Sequence, residues 1–75
     1  MKEYVIVCGK GWLHFGRDAN KDVSSLTITY DENKAYTYHK PGFLKEFLHT
    51  VRFFIYFDAY VAERTSGSYI YTKVE

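Results

Sequence analysis

The stretch that most constrains this chain runs from Gly42 to Arg64, GFLKEFLHTVRFFIYFDAYVAER, with no Pro, Gly or Asn after its first residue. Phe43, Leu44, Phe47, Leu48, Val51, Phe54 and Ile55 recur at i, i+3, i+4, i+7 and i+8. On a wheel of about 100° per residue they fall within one arc of about 140°, and Lys45, Glu46, His49 and Arg52 lie outside it. Pro41 suits a first helical turn, and Gly42 is acceptable as an N-cap. The spacing therefore predicts a helix from about Gly42.

The end of that helix is open to two readings. Ile55, Phe57, Ala59 and Val61 alternate with Tyr56, Asp58, Tyr60 and Ala62, which is a strand pattern. A helix-to-strand junction usually carries a turn residue, and none occurs before Thr65-Ser66-Gly67-Ser68. The favoured reading is one long helix to about Arg64, roughly 33 Å at about 1.5 Å per residue. Its second half would project a Tyr- and Phe-bearing face, with Phe53, Tyr56, Phe57 and Tyr60 on or beyond the edge of the core arc. The alternative is a helix to about Arg52, followed by a strand that pairs with residues 68–74 as a C-terminal hairpin. Asp58 distinguishes the two. In a continued helix it falls on the apolar arc, where a carboxylate needs a partner such as a Tyr hydroxyl, Arg17 or a Lys.

The rest of the chain reads as strands and turns. Glu3–Cys8 is β-branched and barely alternates, as in a largely buried strand. Gly9-Lys10-Gly11 is a turn, and Trp12–Phe15 returns as a second strand. That strand places Trp12 and His14 on one face, Leu13 and Phe15 on the other. Gly16–Asp22 is polar with turn chemistry throughout. Val23–Tyr30 sets Leu26, Ile28 and Tyr30 against Ser25, Thr27 and Thr29, a half-buried strand. Asp31–Lys34 is a hairpin turn, and Ala35–His39 the returning strand with Tyr36 and Tyr38 on one face. Gly67 is a C-cap candidate for the helix. Tyr69–Val74 closes the chain, with Ile70, Thr72 and Val74 on one face and Tyr69, Tyr71 and Lys73 on the other. The expected fold is a single α+β domain over residues 1–75. It is a small antiparallel β-sheet of about five strands, in the order β-β-β-β-α-β, packed on one long amphipathic helix.

Little here carries chemistry. Gly9-Lys10-Gly11 lacks the third glycine of a dinucleotide fingerprint and the frame of a phosphate-binding loop. His14, His39 and His49 are scattered, Cys8 is the only cysteine, and no metal-ligand spacing occurs. His49 and Glu46 form an i, i+3 surface pair. Ser66-Gly67-Ser68 lacks the flanks of a nucleophile elbow. No catalytic, metal or cofactor residues are expected. Cys8 sits in the apolar run Val5–Cys8, as a reduced, buried thiol would, which fits a cytoplasmic location. The start of the sequence has no signal-peptide pattern, and no apolar run reaches the ~20 residues of a membrane span.

The unusual feature is aromatic content: eight Tyr, six Phe and one Trp in 75 residues. Those are many rings for one small core, and Tyr and Trp are enriched at interfaces. The expected contact surface is Tyr36, Tyr38, Tyr56, Tyr60, Tyr69 and Tyr71. With a net charge of +1 and no run of like sign, a protein partner fits this surface better than a phosphate backbone does. Self-association as a homodimer would serve the same purpose. The alternative is single-stranded nucleic acid stacked on a Tyr-bearing sheet face beside Lys34, Lys40 and Lys73.

The motifs Tyr4-Val5-Ile6, Trp12-Leu13 after a turn, and Asp31-Glu32-Asn33-Lys34-Ala35 before a predicted element loosely resemble those of short, uncharacterised phage and prophage proteins of bacteria. The resemblance covers about half of the chain. It implies a cytoplasmic protein that binds a host protein, for instance as an inhibitor of a defence nuclease, and it assigns no residue a role.

Overall fold

Gly9 makes the first reversal of the chain. Its φ of +63° is left-handed, and as the first of two central turn residues it gives the hairpin geometry that matches strand twist. The hairpin joins β1 (Lys2–Cys8) to β2 (Gly11–Arg17). In this computed structural model, which describes residues 2–65, 67 and 70–74, β2 turns back again into β3 (Val23–Thr29). The polar loop between them is a tight turn. The Asp18 carbonyl accepts from the Lys21 N–H at 3.0 Å, and the Asp22 carbonyl accepts from the Asp18 N–H at 3.0 Å. The Asp18 carboxylate adds bonds from the Asn20 and Asp22 N–H groups.

After β3 come a 3-10 turn (Glu32–Lys34), helix α1 (Pro41–Phe54), β4 (Tyr60–Thr65) and β5 (Thr72–Lys73). The five strands form one antiparallel sheet in the spatial order β3-β2-β1-β4-β5. The fold is the expected α+β class, a five-stranded antiparallel sheet with one helix packed on it. The helix spans 14 residues.

The sheet separates two apolar layers. On the helix side, Ile6, Cys8, Leu13, Phe15, Ala59 and Val61 pack with Leu44 and Val51 of α1. Leu44 and Val51 are the two fully buried members of the expected arc, while Phe47, Leu48 and Ile55 are half-buried around them. On the far side, Val5, Val7 and Ala62 pack with Ala35, Trp12, Tyr60 and Tyr71. Trp12 and Leu13 thus point to opposite layers, as the alternation in β2 requires.

Two expectations are corrected. The first is the returning strand Ala35–His39. Asp31 accepts from the Asn33 N–H at 3.0 Å and caps the 3-10 turn, which carries the chain across the far side and buries Ala35 there. The following residues then enter the sheet between β2 and β1. The Tyr36 N–H donates to the Leu13 carbonyl at 2.9 Å, and Tyr38 and Tyr4 exchange backbone bonds of 2.8 and 3.0 Å. This wedge fills a gap, because β1 and β2 pair only near their turn, at Val7↔Trp12 and Cys8↔Gly11.

The second is the long helix and the order β-β-β-β-α-β. The helix ends at Phe54, and the order is β-β-β-α-β-β, nearer to the alternative with a C-terminal hairpin. Residues 60–65 are claimed by β1, which they pair at six positions from Val7↔Tyr60 to Lys2↔Thr65. Ala59, Val61 and Ala62 are buried as a result. No glycine is needed at the junction. The Val51 carbonyl accepts from both Ile55 and Tyr56 at 2.9 Å, and Arg52 Nε donates to the Ala59 carbonyl at 2.8 Å, pinning the return. Gly67 therefore lies between β4 and β5 and caps no helix.

Asp58 is exposed in the turn after the helix, which ends before reaching it, so it never meets the apolar arc. The last strand is shorter than expected. β5 pairs Ala62↔Lys73 and Glu63↔Thr72, and Val74 adds one bond to the Val61 carbonyl at 2.8 Å. Ser66, Ser68 and Tyr69 lie outside the described residues.

Candidate functional site

The rings divide by their burial. Phe15 stacks on Tyr36 with centroids 4.1 Å apart, Tyr36 is followed by Tyr38 at 6.5 Å, and Tyr38 meets Phe43 at 4.8 Å. Phe47 closes the group at 5.3 Å from Phe15. This row joins the wedge to the first half of α1, so Tyr36 and Tyr38 are half-buried structural contacts. Tyr56 lies over Gly9, where an added Cβ would meet its hydroxyl at 3.1 Å. Tyr60 and Tyr71 lie on the opposite side of the sheet, Tyr60 under the Lys73 ammonium at 5.5 Å and Tyr71 against Trp12 at 5.7 Å. The expected tyrosines are therefore parted between two layers, three with the helix and two without, while Tyr69 lies outside the described residues.

Among the described residues, the most exposed rings are mainly phenylalanines. Phe53, Phe54 and Phe57 are 81%, 75% and 76% exposed. Phe53 and Phe54 touch edge to face at 4.7 Å, and Phe57 stacks against Tyr56 at 5.9 Å. All lie within five residues of chain at the helix end. Phe53 and Phe54 lie in the last helical turn, and Phe57 in the turn that follows it. The signal in the sequence was the position of Phe53 and Phe57 beyond the edge of the core arc. Phe54 sat inside that arc, and nothing local separated it from Val51.

Phe54 also walls an open groove of about 540 Å³ between the end of α1 and β3, with Val23, Leu26 and Ile55 among its lining. β3 is one edge of the sheet.

A polar cluster on the far side ties the chain ends together. Arg64 is 6% exposed, and its Nε donates to Glu3 Oε1 at 2.7 Å. Its Nη1 donates to the Tyr71 hydroxyl at 3.0 Å and the Glu32 carbonyl at 3.2 Å. Tyr71 in turn donates to Glu32 Oε2 at 2.6 Å. Burial pulls the Arg64 guanidinium down, but its bonds with Tyr71 and Glu3 outweigh that and hold it above its ordinary range. Burial, then the bond to Glu32, pushes the Tyr71 hydroxyl up. A phenol held protonated and fully bonded is suited to fastening β1, β4, the 3-10 turn and β5 to one another.

Elsewhere, burial pushes the Cys8 thiol up to about 11, away from the thiolate that reactive cysteines need. His14 Nδ1–H donates to the Lys34 carbonyl at 2.7 Å. Among the described residues no three His, Cys, Asp or Glu side chains are grouped to hold a metal ion. No helix of the described residues is long and apolar enough to cross a membrane. The chain matches no protein-family model, and no curated protein and no solved structure matches it significantly.

Proposed function

We propose that this chain is a non-enzymatic protein-binding module that docks its partner on Phe53, Phe54 and Phe57. One observation carries the reading: three phenylalanines within five residues of chain stand at least three-quarters in water. A buried aromatic ring covers about 150–250 Å², so the three leave on the order of 400 Å² of apolar surface exposed. Patches of that size on small proteins mark interaction sites. Exposed Arg52 and Asp58 border the rings, the polar rim that protein interfaces carry.

In the form the phage resemblance suggests, the partner is a host protein met in the bacterial cytoplasm, and binding inhibits it. The test is affinity capture from bacterial lysate with mass spectrometry, comparing the wild-type chain with a Phe53→Ser/Phe57→Ser variant of unchanged circular dichroism. A protein retained by the wild type and lost by the variant is expected. Equal capture by both, or none by either, would overturn the proposal.

Single-stranded nucleic acid is the second reading, and Lys73 poised over Tyr60 favours it. Glu3 and Glu32 lie on the same side of the sheet, where they oppose phosphate. Nuclease treatment of the lysate separates the two readings.

A further inference from the structure

We propose that the outer edge of β3 receives β3 of a second copy of this chain, antiparallel, about a two-fold axis through Thr27. The inference goes beyond the binding reading, because it stands on backbone hydrogen bonding and strand register and not on the exposed rings.

The direction of the free peptide groups follows from the wedge. The Leu13 carbonyl accepts from Tyr36, on the side away from β3. Leu13 is the cross-strand partner of Ile28, and Phe15 that of Leu26. In an antiparallel ladder, paired residues alternate between bonding each other and facing away. Ile28 and Leu26 therefore aim their N–H and C=O groups outward, while Thr27 and Thr29 bond inward to β2. The outer edge presents two donors and two acceptors at the spacing of a strand.

Sheet edges are normally blunted by charge, proline or a bulge. Val23–Thr29 reads VSSLTIT, with neither charge nor proline. Its one irregularity falls at Ser24, where the register steps from Gly16↔Ser25 to Arg17↔Val23. Among the described residues, Ser25–Thr29 is left as a regular run of unpaired edge.

That run is complementary to itself. With Thr27 opposite Thr27 of the second copy, Leu26 meets Ile28 and Ile28 meets Leu26, and the outward groups of each pair bond one another. Leu26 and Ile28 both face the helix layer, so apolar side chains meet apolar side chains there. Ser25, Thr27 and Thr29 meet hydroxyl to hydroxyl on the other face. An uncharged strand is electrostatically matched by another uncharged strand, whereas a charged peptide would lose hydration for no partner. The second strand also runs beside the groove of Val23, Leu26, Phe54 and Ile55, where Val23 and Phe54 are 48% and 75% exposed. The contact is isologous and closes at two copies.

Sedimentation equilibrium across micromolar to millimolar protein tests this. The wild type is expected at twice the 8.9 kDa chain mass. Thr27 is exposed, and at the two-fold axis it faces its own copy with Cβ atoms about 5 Å apart. Thr27→Lys and Thr27→Glu, each placing like charges opposite each other, are expected at the single-chain mass with unchanged circular dichroism. An equimolar mixture of the two variants is expected to return to the double mass. A Phe53→Ser/Phe57→Ser variant is expected to stay at the double mass, so loss of partner capture and loss of pairing are read separately. Wild type at the single-chain mass would overturn the proposal. So would a wild-type dimer that Thr27→Lys leaves intact, a mixture that fails to recover, or a mass above two chains.

Discussion

Replacing Arg64 by Met tests whether the buried polar cluster stabilises the fold. Met keeps the aliphatic stem packed and removes the guanidinium. The charge-assisted bond to Glu3 is worth about 1.5–3 kcal/mol, and the bonds to Tyr71 and the Glu32 carbonyl add about 1 kcal/mol each. Two effects reduce the gross loss. The Glu3 side chain is 23% exposed and can rehydrate, and Met no longer incurs the cost of taking a guanidinium out of water. Tyr71 keeps its bond to Glu32. The net expectation is a loss of about 2 kcal/mol. For a domain this size, 1 kcal/mol shifts Tm by about 4–8 °C, so Tm falls by about 8–16 °C. Urea unfolding followed by circular dichroism gives the free energy, and calorimetry gives Tm. A double-mutant cycle with Glu3→Gln should return a coupling of about 1–2 kcal/mol. A change within about 0.5 kcal/mol, or a gain, would refute the reasoning. It would mean that desolvating the guanidinium costs as much as its bonds return, as at other buried ion pairs replaced by apolar side chains.

Two further outcomes can be checked. The Cys8 thiol rises in the fold from 9.0 to about 11, so the folded chain holds that proton longer than the unfolded chain does. The stability is fully present below pH 9 and is lost as pH climbs to 11, by about 2–3 kcal/mol. Cys8→Val should flatten that part of a urea-midpoint profile, leaving the smaller alkaline loss from the raised Tyr71 hydroxyl. Lys21 adopts φ +65° in the turn between β2 and β3. Lys21→Gly removes a left-handed strain of about 1–2 kcal/mol against an entropy cost of about 0.5–1 kcal/mol, so thermal melts should show Tm higher by a few degrees.

Where residues interact with near neighbours in the chain, the sequence was legible. The arc from Leu44 to Ile55 marked the helix and its buried side. Alternation marked β2 and β3, and the apolar run marked β1 as buried on both faces. Gly9 marked the first turn. The candidate surface was legible only in part. Excess rings were visible, and Phe53 and Phe57 stood beyond the edge of the arc. Whether Tyr36 or Phe54 would face water depended on elements far away in the chain. Tyr36 is covered by Phe15, and Phe54 stands 75% exposed at the open groove beside β3.

The sequence by itself determined the class of fold, since a helical period and a strand period each force one side of an element out of water. The tertiary structure decided the competitions between them. Residues 55–65 satisfy both periods, and the unpaired side of β1 resolved the tie by offering six cross-strand partners in a position that buries Val61 and Ala62. Residues 36–38 could have paired beside β3, but the opening between β1 and β2 took them, which left the β3 edge bare. Both outcomes turn on hydrogen bonds between residues more than twenty positions apart, which no local pattern encodes.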